Sequence, residues 1–236
     1  MESGQISDSN QGRREYRYER KYLIDQLDAQ QALVLVKRHP ALFSEIYPPR
    51  YINNIYFDHP LLENYGDNID GSTHRTKARL RWYQDLFGMV DQPTLEFKIK
   101  NGLMGTKISY PFPGFKFETG FSEGDIQKWI DNSDLPPEVL LYLKSVEPVL
   151  VNRYRRWYLA TPDQAFRITI DTELTFYHLN RTNNQFLFHQ VDRRSIVVEL
   201  KYQKEHDLLA DRISAGFPFR MTRSSKYVQG IERVYL

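Results

Sequence analysis

Hydrophobic and polar residues alternate at a period of two along several stretches of the chain, most clearly in KARLRWY (77–83) and TLEFKIK (94–100). Successive side chains of a strand point to opposite faces of its sheet, so this alternation predicts strands with one apolar and one charged face. In the first stretch Leu80 and Trp82 lie on the apolar face, whereas Arg79 lies on the charged face. The apolar faces are suited to a protein core, and the charged faces need either water or a ligand of opposite charge.

The same patterns predict a mainly β fold with a few helices. Strands are predicted over 15–24, 50–57, 75–83, 93–100, 150–160, 165–171, 173–179, 185–190 and 194–202. Helices are predicted over 28–38, 123–131, 137–145 and 204–215. The stretch 107–117 contains two prolines and predicts an edge strand or a broken strand. Residues 1–14 are polar and predict a disordered tail, which leaves 15–236 as a single domain.

At least five of the predicted strands carry a mainly basic polar face. These faces are formed by Glu19 and Lys21, by Lys77, Arg79 and Arg81, by Glu96, Lys98 and Lys100, by Arg167 and Asp171, and by Glu199 and Lys201. Such faces are normal on the wet side of an antiparallel sandwich. In a barrel whose apolar faces meet an outer layer of helices, they line a lumen instead. So many cations converge there only if carboxylates and a strongly anionic ligand balance them, which indicates polyphosphate chemistry.

The composition agrees with a β-rich globular protein and removes several function classes. Of the 236 residues, 41% are hydrophobic and 14% are aromatic. The formal net charge of +2 predicts no general affinity for nucleic acid or membranes. The absence of cysteine excludes thiolate zinc sites and cysteine nucleophiles. No apolar run reaches the ~18 residues of a membrane span and no signal peptide is recognisable, so we expect a soluble, cytoplasmic protein.

Other motifs in the sequence are better explained by structural roles than by catalysis or ligand binding. GFSEG (120–124) matches a nucleophile elbow, but Ser122 followed by Asp125 is better explained as a helix N-cap. The histidines show no paired ligand spacing, and the chain has no phosphate-binding loop of the GxxxxGK[ST] type. Aromatic residues beside basic ones can stack on nucleic acid, but the alternation puts Trp82 on the face opposite Arg79.

Eight short segments, in this order, resemble the VTC domain of the triphosphate tunnel metalloenzyme superfamily. They are ERKYLI (19–24), NNIYFD (53–58), RLRWY (79–83), LEFKIK (95–100), YRRWY (154–158), RITIDTEL (167–174), VVELKY (197–202) and SKYVQGI (225–231). The resemblance spans roughly residues 15–234. It implies an α+β, mainly β fold, namely a closed antiparallel β-barrel tunnel with a few flanking helices and a lumen lined by basic residues and glutamates.

The resemblance also implies roles for individual residues. Triphosphate or polyphosphate would be bound by Lys21, Arg79, Arg81, Lys98, Lys107, Arg156, Arg167, Lys201, Arg223, Ser225 and Lys226. The expected catalytic residues are Lys21, Arg79, Arg81, Lys98 and Glu199. A divalent metal ion, Mn²⁺ or Mg²⁺, would be held by Glu199, with Glu19 and Glu96 as further ligands. The planar guanidinium group of arginine can donate two parallel hydrogen bonds to phosphate oxygens, and the ammonium group of lysine provides a compact charge.

The function that the resemblance implies is metal-dependent transfer of the terminal phosphate of ATP onto a polyphosphate chain. The alternatives are hydrolysis of inorganic triphosphate or of nucleoside triphosphates, and non-catalytic binding of polyphosphate or nucleotide. Arg17 replaces the first glutamate of the superfamily's glutamate-x-glutamate-x-lysine signature, which VTC-type members tolerate and simple triphosphatases are less expected to. Retention of Glu96 and Glu199 favours catalysis, because a pure anion binder would gain by losing these carboxylates.

The resemblance also implies which ligands to expect. ATP, inorganic triphosphate or polyphosphate are the expected ligands, and no nucleic acid is expected. The eukaryotic polymerases of the family also carry a helical phosphate-sensing domain and a membrane anchor, to which the resemblance does not extend. It therefore predicts neither their regulation nor a particular membrane-protein partner.

Overall fold

The computed structural model describes residues 13–16, 18–101 and 104–236. Residues 1–12 of the predicted tail lie outside these ranges, and so does Arg17. The first strand begins at Arg13, just inside the predicted tail. None of the helices in the described ranges has the length and the apolar character that crossing a bilayer requires.

Strands account for most of the regular structure. They are Arg13–Tyr16 (β1), Tyr18–Ile24 (β2), Ser44–Asp58 (β3), His74–Tyr83 (β4), Gly88–Val90 (β5), Thr94–Asn101 (β6), Met104–Pro111 (β7), Phe115–Phe117 (β8), Glu147–Ala160 (β9), Phe166–His178 (β10), His189–Asp192 (β11) and Ile196–Tyr202 (β12). The helices are Ala29–Lys37 (α1), Glu63–Ile69 (α2), Glu123–Asp131 (α3), Pro137–Lys144 (α4), Asp207–Ala215 (α5) and Lys226–Val234 (α6). The chain is therefore an α+β protein that is mainly β, as predicted.

Local signals located the predicted helices well. Asp28 and Ser122 each form a capping box, in which the cap side chain and the side chain three residues later accept bonds from each other's backbone amides. Local signals failed elsewhere. The strands predicted over 165–171 and 173–179 are one strand, β10, with a bulge where two strands had been expected. Helices α2 and α6 were not predicted.

The main sheet is antiparallel and has ten strands. Its hydrogen-bonded order is β1-β7-β6-β4-β3-β9-β10-β12-β2, and β11 pairs with β10 off this path. The stretch 107–117 is a broken strand, because β7 ends at Pro111 and β8 begins at Phe115. Of the two predicted alternatives the broken strand is confirmed, whereas the edge strand is wrong because β7 lies between β6 and β1. A separate small sheet pairs β5 with β8.

The expected closed barrel is not what the described strands form. The strand order has two ends, β1 and β2, and no sheet closes on itself. These two end strands are consecutive in the chain, but β1 pairs with β7 whereas β2 pairs with β12. Because they follow one another along the chain on either side of position 17, they bring the two edges of the sheet together without hydrogen bonding to each other.

Helices cover the apolar face of the sheet on two sides. Helices α1 and α5 pack in one buried cluster with residues of β2, β10 and β12 that include Ile168, Val198 and Leu200. Helices α3 and α4 pack in another cluster with residues of β4 and β6 that include Leu80 and Phe97. The expectation that the apolar face of the strands meets an outer layer of helices is confirmed, so the opposite face must accommodate the charged residues.

Helix α6 lies against the other face of the sheet. Its buried residues Tyr227 and Ile231 belong to a third cluster that includes Tyr56, Leu150 and Tyr154. Tyr56 is opposite Arg79 in the pairing of β3 with β4, and residues directly opposite in a sheet share a face. Helix α6 therefore occupies part of the side of the sheet that carries the charged residues.

Replacing Gly230 of α6 with alanine is expected to lower the free energy of unfolding by about 1–3 kcal/mol. A Cβ atom there would collide with the side chains of Leu150 and Phe176, both of which are fully buried. Gly66 in α2 is the matched control, because a Cβ there meets nothing within 4 Å. We expect Gly66→Ala to stabilise the protein by up to about 1 kcal/mol through helix propensity. Denaturant unfolding measures both, and equal effects would contradict the tight packing of α6.

Candidate functional site

The strand register places the predicted charged residues on one face of the sheet. Residues directly opposite in an antiparallel pair point to the same side. Lys21 of β2 is opposite Glu199 of β12, and Glu199 is opposite Thr169 of β10. On the other half of the sheet, Arg79 of β4 is opposite Glu96 of β6. The charged sets of separate strands therefore form one continuous surface.

This surface is concave, because side chains from distant strands meet across it. Lys98 Nζ of β6 lies 2.8 Å from Glu19 Oε2 of β2, although these strands are far apart in the sheet order. Lys226 of α6 reaches Asp171 of β10 at 2.6 Å. We call this surface the charged concavity. It comprises Glu19, Lys21, Lys77, Arg79, Arg81, Glu96, Lys98, Lys107, Arg156, Arg167, Asp171, Glu199, Lys201 and Lys226.

Glu96 is the centre of one group of cations. Its carboxylate lies 2.6 Å from Arg79 Nη2, 3.4 Å from Arg81 Nη1 and 3.5 Å from Lys107 Nζ. Burial alone would raise the pKa of Glu96, but Arg81, Arg79 and Lys107 outweigh it and lower the pKa below its usual value. Glu96 is therefore ionised and keeps the two arginine forks in place.

Glu199 is the centre of a second group. Its carboxylate lies 2.8 Å from Lys201, 3.4 Å from Lys226, 3.4 Å from Arg156 and 3.5 Å from Lys21. Burial would raise the pKa of Glu199, but the surrounding cations, led by Lys201, lower it well below its usual value. One carboxylate thus faces several cations and cannot neutralise all of them.

Asp171 bonds to two of these cations, Arg156 and Lys226. It is fully buried and accepts hydrogen bonds from Arg156 Nε at 2.5 Å and Arg156 Nη2 at 2.6 Å, while Lys226 Nζ lies 2.6 Å away. Burial would raise its pKa, but Arg156 and Lys226 outweigh burial and lower the pKa. Asp171 was not among the predicted site residues, although its sharing of a strand face with Arg167 was the available signal.

Neutral polar side chains also hold the two arginines that contact Glu96. Arg81 Nε donates to Asn54 Oδ1 at 2.8 Å, and Arg81 Nη2 donates to the Tyr154 hydroxyl at 3.1 Å. Arg79 Nη1 donates to the Tyr56 hydroxyl at 3.3 Å. Asn54, Tyr56 and Tyr154 were not predicted as site residues, because asparagine and tyrosine in a strand carry no signal of such a role. They restrict the arginine side chains before any ligand binds.

The other predicted residues lie around the ends of the charged concavity. Arg167 and Lys201 are opposite one another and line a cavity together with Gln203 and His206. At the start of α6, Ser225 is the N-cap residue and its side chain accepts a bond from Val228 N. Arg223 is exposed in the loop before it. Among the described residues, neither Arg167 nor Arg223 has an ion-pair partner.

Comparison with models of known protein families shows which family the chain belongs to. A model of the VTC domain matches residues 16–235. The chain belongs to the VTC domain family. The resemblance inferred from the eight short segments is thereby confirmed, and it extends from β1 to the end of α6. Membership indicates an enzyme with triphosphate-related activity.

Solved structures with a similar fold are distant in sequence. The PH1819 protein from Pyrococcus horikoshii OT3 superposes on this VTC domain with a TM-score of 0.51 at 12% identity, covering 92% of this chain and 99% of that one. A candidate adenylate cyclase from Vibrio parahaemolyticus gives a TM-score of 0.49 at 12% identity, covering 91% and 97%. No curated protein sequence matches the chain significantly.

The VTC domain offers a carboxylate pair for the implied divalent metal ion. Glu19 and Glu199 both contact Lys21 Nζ, at 3.4 and 3.5 Å, so their carboxylates lie near each other. Burial and Glu199 raise the pKa of Glu19, but lysines led by Lys21 outweigh them and lower it to about 2. Mg²⁺ at phosphates is usually held by one or two carboxylates plus phosphate oxygens, and this pair fits that requirement.

Glu96 has a different environment from that pair. Its ion-pair partners are Arg79, Arg81 and Lys107, and it makes no described contact with Lys21. Within the described part of the chain, no three acidic or histidine side chains gather into a ready-made metal site. A metal ion in this VTC domain would therefore need phosphate oxygens of its ligand to complete its coordination.

Proposed function

We propose that this VTC domain is a metal-dependent phosphotransferase that moves the terminal phosphate of ATP onto a polyphosphate chain held in the charged concavity. The observation that carries the proposal is the excess of cations there. The carboxylates are Glu19, Glu96, Asp171 and Glu199, and each already contacts two or more cations. Unbalanced charge in a poorly solvated site is costly, so the arrangement favours a polyanionic ligand.

The arginines and lysines divide into two roles. Arg79 and Arg81 present planar forks whose positions are fixed by Glu96, and such forks bind phosphate oxygens bidentately. Lys21 and Lys98 both contact Glu19 and provide point charges. Both sets exist before the ligand arrives, so the charge that develops during phosphoryl transfer meets groups that are already oriented.

The two ends of the concavity differ, which gives the ligand a direction. Along β10, Arg167 lies at one end, whereas Phe176 at the other end packs in the apolar cluster that contains α6. Because α6 fills that second end, we expect the phosphate chain to enter beside Arg167 and Lys201. The cavity that these two residues line with Gln203 and His206 is the expected entry.

The metal ion would be bound by Glu199 and Glu19. When bound, it would neutralise phosphate charge and polarise the phosphorus–oxygen bond that breaks. The protein's own contribution would be to hold the phosphate chain in place with arginines and lysines that are already oriented. Hydrolysis of triphosphate would require only that water reach the same position as the acceptor phosphate.

The test is an assay with ATP labelled at the γ-phosphate in the presence of Mn²⁺, with electrophoresis to separate polymer from free phosphate. We expect labelled chains longer than triphosphate. Label released only as free phosphate would replace the proposal with hydrolysis of nucleoside triphosphate. Triphosphate binding without turnover would indicate a non-catalytic binding module, and neither binding nor turnover would reject the charged concavity as a phosphate site.

A pair of arginine variants connects the activity to the concavity. Arg79→Met should weaken metal-free triphosphate binding by roughly 10- to 100-fold, the effect of losing one charged hydrogen-bonding group. Arg155→Met is the matched control, because Arg155 lies over the Trp157 ring and beside Glu173, next to Arg156 in sequence but on the opposite face of β9. Equal losses in the two variants would place the ligand elsewhere.

A further inference from the structure

Among the described residues, Lys77 differs from the other lysines of the charged concavity in having no carboxylate partner. Its ammonium group donates to Ser225 Oγ at 2.9 Å, and it lies 5.8 Å from the centre of the Tyr227 ring. Both contacts are with α6, and neither carries a compensating negative charge. Lys98, directly opposite Lys77 on β6, is by contrast bonded to Glu19 at 2.8 Å.

The charged groups that face Lys77 come from every surrounding element. On its own strand they are Arg75 and Arg79, on β6 Lys98, and on β2 Lys21. On the α6 side, the hydroxyl of Tyr227 bonds to Asp58 of β3, which is fully buried. Asp58 already accepts hydrogen bonds from the Tyr227 hydroxyl and from the backbone amides of His59, Asn64 and Tyr65. Lys77 therefore faces several cations, and Glu19, the carboxylate of this group, is paired with Lys21 and Lys98 instead.

This environment disfavours the charged form of Lys77. Desolvation has the largest effect, and repulsion by Lys21 and Lys98 adds to it, so the pKa of Lys77 falls to about 6. Arg79 cannot relieve the repulsion by losing its proton, because arginine stays protonated in proteins. Lysine is thus the group at this position that can respond to a change in local charge.

We propose that Lys77 is a further phosphate-binding residue of the concavity, uncharged in the free protein and protonated when a triphosphate chain binds, so that binding takes up a proton. The inference rests on the proposed function, because the ligand that changes the local charge is the phosphate chain. A polyanion beside Lys77 replaces repulsion by attraction and favours the ammonium form. The ammonium group can then donate to phosphate oxygen as well as to Ser225.

The direction of the pH dependence follows from linkage. Above the pKa of the free protein Lys77 must gain a proton to bind, so its contribution to affinity falls as the pH rises from about 6 towards the pKa of the bound state. Below about pH 6 the lysine is already charged, and the extra proton uptake disappears.

The test is isothermal titration calorimetry of inorganic triphosphate without metal, in buffers of different ionisation enthalpy. The wild type is compared with Lys77→Met, which cannot be charged, and Lys77→Arg, which is always charged. Triphosphate itself exchanges the same number of protons with all three proteins. The difference in proton uptake between the wild type and a variant therefore reports on Lys77. At pH 7.5 we expect the wild type to take up about one proton more per triphosphate than either variant. At pH 5.5 the difference should fall by at least half.

Thermal unfolding at pH 7.5 checks that the variants fold. Lys77→Met should be at least as stable as the wild type, and if it does not fold the comparison with Lys77→Arg still decides the question. Identical proton uptake by the wild type and the folded variants, with triphosphate still bound, would overturn the role of Lys77 alone. Absence of triphosphate binding by the wild type would overturn both this inference and the proposed function.

Discussion

Replacing Glu199 with glutamine is expected to lower turnover at least about 100-fold, roughly 3 kcal/mol of transition-state stabilisation. If Glu199 binds the divalent ion, loss of its charge removes the group that neutralises phosphate charge in the transition state. Triphosphate binding without metal should be unchanged or tighter. The reason is that Lys201, Lys226, Arg156 and Lys21 would lose a competing carboxylate.

Two measurements distinguish a metal ligand from a simple counter-ion. Electron paramagnetic resonance of Mn²⁺ in the presence of triphosphate should show weaker metal binding to Glu199→Gln than to the wild type. Glu173→Gln is the matched control, since Glu173 lies on the same sheet but pairs with Arg155 on the outer face. Turnover of Glu199→Gln within a few-fold of the wild type would remove Glu199 from the metal site and favour a binding module.

Replacing Asp171 with asparagine is expected to destabilise the protein by about 3–5 kcal/mol, because it leaves two buried cations without their shared carboxylate. Arg156 and Lys226 both bond to Asp171, and all three side chains are buried. In a protein of this size we expect a fall in Tm of roughly 10 °C. Differential scanning calorimetry at neutral pH measures it.

The matched controls separate charge from geometry. Asp211→Asn removes an exposed carboxylate that lies 2.7 Å from Arg20, and it should cost less than about 1 kcal/mol. The double variant Asp171→Asn with Lys226→Met should recover part of the lost stability, because one of the unpaired cations is gone. A loss for Asp171→Asn as small as that for Asp211→Asn would show that the buried pair is not important for stability.

Acid should affect the wild type more than Asp171→Asn. The native pKa of Asp171 is lowered by Arg156 and Lys226 against the effect of burial, so the unfolded state binds its proton first as the pH falls. The stability that Asp171 contributes is therefore complete above its unfolded pKa of about 3.9 and is lost as the pH falls towards its native value. The variant lacks this contribution and should show a flatter pH dependence.

The sequence alone determined most of the strands, the capped helices and the existence of a basic face. Period-two alternation is local, because the geometry of a strand sets it without reference to other strands. The pairing of Arg79 with Glu96 and of Lys21 with Glu199 then needed only the strand register. The family resemblance supplied the expected ligand, which no local pattern could specify.

Only the tertiary structure decided how these charges meet. The contact of Lys98 with Glu19 depends on the curvature of the sheet, and the sheet does not close into a barrel because no pairing joins its end strands, β1 and β2. The sequence pattern of a strand predicts neither the curvature of the sheet nor the partners of its end strands. It also could not show that α6 lies on the charged side of the sheet, where Lys226 reaches Asp171. These contacts join residues far apart in the chain, so their distances follow from packing rather than from local preference.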